Sequence, residues 1–200
     1  TCFKLEAFDD LTDHWFKKDA SKLRYLNYVS QNNSFFPKKN ISLDEFINYT
    51  GQFTNITLVN NIENLSNTSH LTISNDITTA NMLEEQNKQP TPSISSSNIL
   101  EIIIPQTTHI KRIHAIHILS QILQNSESYS PMKRTKQYFP FIDIYKNNIY
   151  FNDVKYCLET GLISSSHNFY PNKKLTKAEL IKILSNLPNI KNLLQETFND

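Results

Sequence analysis

Glycine is nearly missing from this 200-residue chain, which has only Gly51 and Gly161. Two glycines cannot build a G-x-G-x-x-G or G-x-x-x-x-G-K-[ST] element, so nucleotide binding through a conventional phosphate loop is excluded. Cysteine is equally rare, with Cys2 and Cys157 alone. An even pair permits one disulfide but makes no framework, and two unpaired thiols are the expected state. Charge of either sign is not in excess: the formal net charge is +1. No global field therefore directs the chain to nucleic acid or acidic membranes, and an anion would have to be recognised by a few placed cations. No apolar run reaches the length of about 18 residues that suggests a membrane span. The opening Thr1–Lys4 has no h-region, so an export signal is expected to lie outside this sequence.

Catalytic signatures are missing as well. There is no G-x-S-x-G, no H-E-x-x-H and no cysteine with a recognisable histidine partner. Asp9–Asp10 and Glu84–Glu85 are adjacent in sequence and poorly placed to flank one scissile bond. A non-enzymatic protein without a cofactor is expected.

What is present is a repeat. Phe8-Asp9-Asp10-Leu11-Thr12-Asp13-His14-Trp15 returns as Phe141-Ile142-Asp143-Ile144-Tyr145-Lys146-Asn147-Asn148, 133 residues later. Phe35-Phe36-Pro37, leading to Ile41-Ser42-Leu43-Asp44-Glu45, returns as Phe169-Tyr170-Pro171, leading to Leu175-Thr176-Lys177-Ala178-Glu179, 134 residues later. Half that offset predicts a middle copy. Ile104-Pro105 followed by Ile110-Lys111-Arg112-Ile113-His114 fits it, so Ile41, Ile110 and Leu175 mark equivalent positions. The front of the middle copy is placed at Ile62-Glu63-Asn64-Leu65, with His70-Leu71 standing where His14-Trp15 stands. The divisions are 1–57, 58–135 and 136–200, the middle copy degenerate and carrying a loop insertion around 86–98.

Each copy reads as helix, loop, helix. Trp15, Ala20, Leu23 and Leu26 give a first helix ending near Gln31; Ile149, Val154, Cys157 and Leu158 give its counterpart, closed by Gly161. The second helices carry Ile113, Ile116, Leu119 and Leu123, and Leu180, Ile181, Leu184 and Leu187, at helical spacing. Ser42–Glu45 and Thr176–Glu179 are capping boxes. Lys111-Arg112-Ile113-His114 lacks both partners, so the middle helix is expected to fray or to start elsewhere. Gln86–Asn98 and Ser126–Gln137 read as linkers, and Ile99–Ile104 as a short strand.

These residues resemble the S-layer homology family. The likeness rests on Phe8, Asp10, His14, Trp15, Phe35, Pro37, Ile41 and Glu45 in the first copy. In the third copy it rests on Phe141, Asp143, Gly161, Leu162, Ile163, Phe169, Pro171, Leu175, Thr176, Ala178 and Glu179. It implies a mainly α fold, three helix-loop-helix repeats in a pseudo-threefold prism around a central helical bundle. It also implies an extracellular module that holds its cargo to the bacterial cell wall. Such modules bind wall polysaccharide or peptidoglycan-linked glycan, often pyruvylated, in inter-repeat grooves.

The family's ligand-contacting arginine falls on Leu43, Arg112 and Lys177, so one site keeps the guanidinium and one has lost its cation. A cation at a helix start, beside free N–H groups and the positive end of the dipole, suits a sugar carboxylate. The resulting glycan-binding candidates are Arg112, Lys177, Lys111, Lys174, Trp15 and Tyr170. His14–Trp15 reads either as a sugar-stacking pair or, the favoured expectation, as a core anchor. Lys38–Lys39 and Lys173–Lys174 are solvated basic pairs that would border a groove.

The alternative function is a structural subunit of a surface layer, filament or envelope complex, whose partners are other surface-protein subunits. A third is a metal module built on His109, His114 and His117; no acidic or cysteine ligand lies close in sequence to complete it, and surface or partly buried histidines are the expected state.

Overall fold

A computed structural model of the chain describes residues 5–54, 56–62, 68–74, 100–105, 107–125 and 138–198. The expected linkers at 86–98 and 126–137, residues 63–65, Glu84–Glu85 and Cys2 lie outside them. The described residues are mainly helical. In order they form α1 (Lys17–Tyr25), α2 (Leu43–Thr54), β1 (Thr57–Ile62), β2 (Thr68–Ser74), β3 (Leu100–Pro105), α3 (Arg112–Asn125), α4 (Phe151–Glu159), α5 (Lys177–Ser185) and α6 (Pro188–Phe198). No helix among them is long and apolar enough to cross a membrane.

Both expected capping boxes form. The Glu45 N–H donates to Ser42 Oγ (3.1 Å) and the Ser42 N–H to Glu45 Oε2 (3.1 Å). The Glu179 N–H donates to Thr176 Oγ1 (3.4 Å) and the Thr176 N–H to Glu179 Oε2 (3.0 Å). Two orphan donors at each helix start are thereby satisfied. The middle helix does not start elsewhere. Without a cap, α3 still begins at Arg112, because the Arg112 N–H donates to Lys173 O (2.9 Å) and the Ile113 N–H to Pro171 O (3.1 Å). Carbonyls from a distant loop do what a local side chain does elsewhere. The same contact recurs at α5, whose Lys177 and Ala178 N–H groups donate to Lys39 O (2.9 Å) and Pro37 O (3.2 Å).

Ile41, Ile110 and Leu175 close a ring of backbone hydrogen bonds. The Ile41 N–H donates to Leu175 O (2.9 Å), Leu175 N–H to Ile110 O (3.0 Å) and Ile110 N–H to Ile41 O (3.0 Å). All three side chains are buried in one hydrophobic core with the apolar faces of the helices.

The turns before α2 and α5 are locked alike. Asp10 accepts from the Phe35 and Phe36 N–H groups (2.8 and 2.6 Å), and Asp143 from those of Phe169 and Tyr170 (2.7 and 2.7 Å). Phe36 and Tyr170 then take left-handed backbone, φ 58° and 59°. Burial pushes the Asp10 carboxyl up, but these amides, with Lys177 nearby, outweigh it and hold the group below its ordinary value.

Three expectations about the first helices fail. Trp15 is no core anchor: it is 63% exposed, and the neighbouring Phe16 is fully buried instead. Ile149 precedes α4 and is 82% exposed. α1 ends at Tyr25 rather than near Gln31, because Asn27 adopts a left-handed φ of 60° that stops it; Gly161 (φ 75°) does the same after α4, as expected.

Among the described residues, the front part of the middle copy forms strands, not a helix. β1, β2 and β3 form an antiparallel sheet in that order, with Leu71 opposite both Asn60 and Ile102. Leu58, Leu71 and Ile102 share the buried face while Ile103 points out. Thr57–Ile62 and Thr68–Ser74 are rich in β-branched residues on a two-residue alternation, which favours strands over the helix expected around Ile62 and His70-Leu71. β3 matches the strand expected at Ile99–Ile104.

Candidate functional site

Five segments of the chain meet around a cavity of about 260 Å³. Trp15 comes from the turn before α1, Arg112 from the start of α3, Phe141 and Phe169 from loops flanking α4, and Glu179, Lys182 and Ile183 from α5; Leu162–Ser166 complete its lining. Phe169 is fixed by Asp143 and packs on Phe141 with ring centroids 5.4 Å apart.

Arg112 is the most constrained group in this wall. Its guanidinium lies 5.9 Å from the Phe169 ring centre, Nη1 donates to Phe169 O (3.1 Å), and Nη2 donates to Glu179 Oε1. Only its buried Nε is left without a partner. Lys173 also reaches Glu179 Oε1 (2.8 Å), so one carboxylate serves two cations and a helix cap. Burial pushes the Glu179 carboxyl up; the Lys173 ammonium, the Thr176 amide and Arg112 together outweigh that and hold it below the ordinary carboxylate value. Lys182 donates to Asp19 on α1 (2.7 Å).

The second cation is placed differently. Lys177 is a buried residue, with Nζ 4.7 Å from the Phe35 ring centre and 5.6 Å from that of Tyr49. Burial, with Lys39 nearby, holds this amine below its ordinary value even though Glu45 and Asp10 act the other way. Lys39 pairs with Glu45, in the same relation as Lys173 with Glu179. Outside this site, a wide-open cleft is lined by Asp10, Asp13, His14, Phe36, Pro37 and Lys38–Lys39.

Of the six predicted contact residues, the cavity brings together two, Arg112 and Trp15. Lys177 belongs to the Phe35 site. Lys111 Nζ donates to Asn172 Oδ1 (3.4 Å), Lys174 pairs through its backbone with Lys111, and Tyr170 stands 56% exposed on its turn. The expectation of free N–H groups beside the cations is also corrected, since the first amides of α3 and α5 are engaged by loop carbonyls. Phe141, Phe169 and Glu179 recur at fixed offsets and were legible as a pattern, but nothing local marks them as lining residues. Ser164–Ser166 and Lys182 carried no signal.

The histidines do not converge. His117 Nδ1 lies 2.8 Å from Asp153 Oδ2, His109 lies beside Thr108, and His114 is buried with Nδ1 unpartnered. Among the described residues, no group of three histidine, cysteine, aspartate or glutamate side chains is placed to hold a metal ion. Cys157 is completely buried, and burial pushes its thiol far up.

No protein-family model matches this chain, and no curated protein matches it either.

Proposed function

We propose that the chain is a non-enzymatic, three-repeat module of the S-layer homology type, which anchors its cargo at a bacterial cell surface by binding wall polysaccharide. The ring of hydrogen bonds joining Ile41, Ile110 and Leu175 supports a pseudo-threefold prism, since three equivalent residues exchange equivalent bonds. The paired turns at Asp10 and Asp143 support the same reading.

The observation that carries the glycan function is Trp15. A large aromatic left 63% exposed at the mouth of a cavity that also holds Arg112 suits stacking on the apolar face of a sugar ring. Counted from the starts of α1 and α4, its counterpart in the third copy is Ile149, and the described residues in the front of the middle copy form a sheet in place of that helix. Among the described residues, only this groove combines an arginine with an aromatic cover, which favours a single binding site.

The test is retention on cell-wall sacculi, before and after the secondary polysaccharide is stripped. Retention by intact sacculi, lost on stripping and reduced about tenfold in Trp15→Ala, is the expected result. Equal retention by stripped sacculi, or none by either preparation, overturns the anchoring reading.

A structural subunit is the second reading, favoured by the sheet. β1 and β3 each have one neighbour among the described strands, and open strand edges are templates for pairing between chains. Concentration-dependent assembly in sedimentation, without glycan retention, would select it.

A further inference from the structure

We infer that the binding site runs on from the Arg112 cavity, over His14 and Trp15, into the cleft at Phe36. It would then grip several consecutive rings of a polysaccharide rather than one terminal sugar. This rests on the anchoring reading and deepens it. Trp15 lines the cavity of about 260 Å³, and His14, its neighbour in sequence, lines a cleft of about 640 Å³ together with Phe36 and Pro37. The His14 and Trp15 rings lie 5.3 Å apart, inclined by 33°, so one ring pair borders both spaces. Behind it the aromatic packing continues from Trp15 to Phe16 (5.3 Å) and from Phe16 to Phe35 (5.6 Å), and Phe35 leads directly to Phe36. A cavity of about 260 Å³ takes one sugar ring, and the cleft has room for more.

The ring pair and Phe36 exceed what the fold requires. Phe36 is 60% exposed on left-handed backbone (φ 58°), a costly region for a bulky side chain. Tyr170 shares that backbone in the third copy, so the strain belongs to the repeated turn, while the ring stands free of it. His14 Nδ1 accepts from the Phe16 N–H (3.2 Å), and Asn148 Oδ1 accepts from the Tyr150 N–H (2.9 Å) in the same way. Asparagine therefore serves that turn as well as histidine does, and the imidazole ring is an addition confined to the first copy. With Nδ1 accepting, the neutral ring carries its proton on Nε2 and is a donor there. Trp15, Phe36 and Pro37 thus offer apolar faces, with His14, Asp13 and Lys38 as polar margins. Sugar rings, apolar on their C–H faces and polar at their hydroxyl rims, match that alternation.

Trp15 is the only tryptophan in the sequence, so its emission reports binding at this junction. The probes are fragments of the secondary polysaccharide stripped from sacculi, separated by length. Adjoining subsites filled by one chain act intramolecularly, so affinity should rise about tenfold or more from the shortest fragments to those of several rings. Equal affinity at every length overturns the inference and leaves the anchoring reading standing.

Phe36→Asn removes the ring and keeps a residue that tolerates left-handed backbone. It should lower affinity for the long fragments about tenfold and remove their advantage over the short ones. Tyr170→Asn, the same change in the matching turn, should leave that advantage in place. Unchanged long-fragment affinity in Phe36→Asn, or an equal loss in Tyr170→Asn, overturns the inference. If no fragment moves Trp15, retention on sacculi decides. A tenfold loss in Phe36→Asn supports the longer site, equal retention overturns it alone, and no retention of the unaltered protein overturns anchoring as well. Should Phe36→Asn not fold, the length dependence of the unaltered protein remains decisive.

Discussion

The Arg112 and Lys177 sites share nearly every part and differ in the part that matters. Each has a phenylalanine floor, Phe169 or Phe35, set by an aspartate that accepts two successive amides. Each has a Lys–Glu pair whose glutamate also caps a helix. Arginine uses its fork to bond the Phe169 carbonyl and Glu179 together while covering the ring. Lysine, a compact charge on a flexible stem, is simply pressed between Phe35 and Tyr49. The difference teaches that a repeated frame fixes where a cation arrives, and that the cation's geometry decides whether it joins segments or fills space.

Removing the frame itself should have the largest effect. Asp143→Ala and Asp10→Ala each delete two hydrogen bonds to a charged group, and each should lower stability by about 2–4 kcal/mol in chemical denaturation. Only Asp143→Ala should also release Phe169 and abolish retention on sacculi; equal loss in a folded Asp10→Ala protein would break the asymmetry between the sites.

The cations come next. Arg112→Met leaves the Phe169 carbonyl and Glu179 short of a donor and should cost about 2 kcal/mol. Lys177→Met exchanges a desolvated amine for an apolar chain and should change stability by less than about 1 kcal/mol. A reversed order would mean that the Lys177 site is the one that joins segments.

Trp15→Ala should leave the unfolding midpoint within about 0.5 kcal/mol of the original, because the side chain is largely exposed. Retention should nonetheless fall about tenfold, as expected for loss of one stacking aromatic. A marked loss of stability would restore Trp15 to a structural role.

The smallest effect is on pH dependence, and it separates α3 from α5. His114 occupies in α3 the position that Glu179 occupies in α5. Burial, with Lys111 and His117 adding to it, holds His114 below its ordinary pKa. The unfolded chain therefore binds the proton more readily, and stability is full above the ordinary histidine pKa of about 6.5 and declines as pH drops below it. Glu179, also lowered, contributes stability that is present above the unfolded carboxylate value and lost as pH falls through the folded one. Melting temperature against pH should thus decline in two stages, the first removed by His114→Gln. A first stage that persists in that variant would assign it to another group.

Much of this frame was legible in the sequence. Ser42–Glu45 and Thr176–Glu179 state their caps within four residues, and Gly161 states the end of α4. The recurrence of Ile41, Ile110 and Leu175 located three residues that do bond to one another. The candidate site was less legible. Arg112 was found through its position in a repeat, whereas Lys111, Lys174 and Tyr170, chosen by proximity in sequence, lie outside the cavity.

The division follows from the range of the interactions. Caps, helix stripes and the Gly161 stop act between residues a few positions apart, and the sequence by itself determined them. Only the tertiary structure decided that Phe16, not Trp15, enters the core, and that α3 starts on carbonyls some 60 residues away. It also decided that Arg112 arrives paired with Glu179, which it shares with Lys173. Those outcomes depend on which surface folds against which, and a side chain's neighbours across a packed interface leave no periodic trace in the chain that carries it.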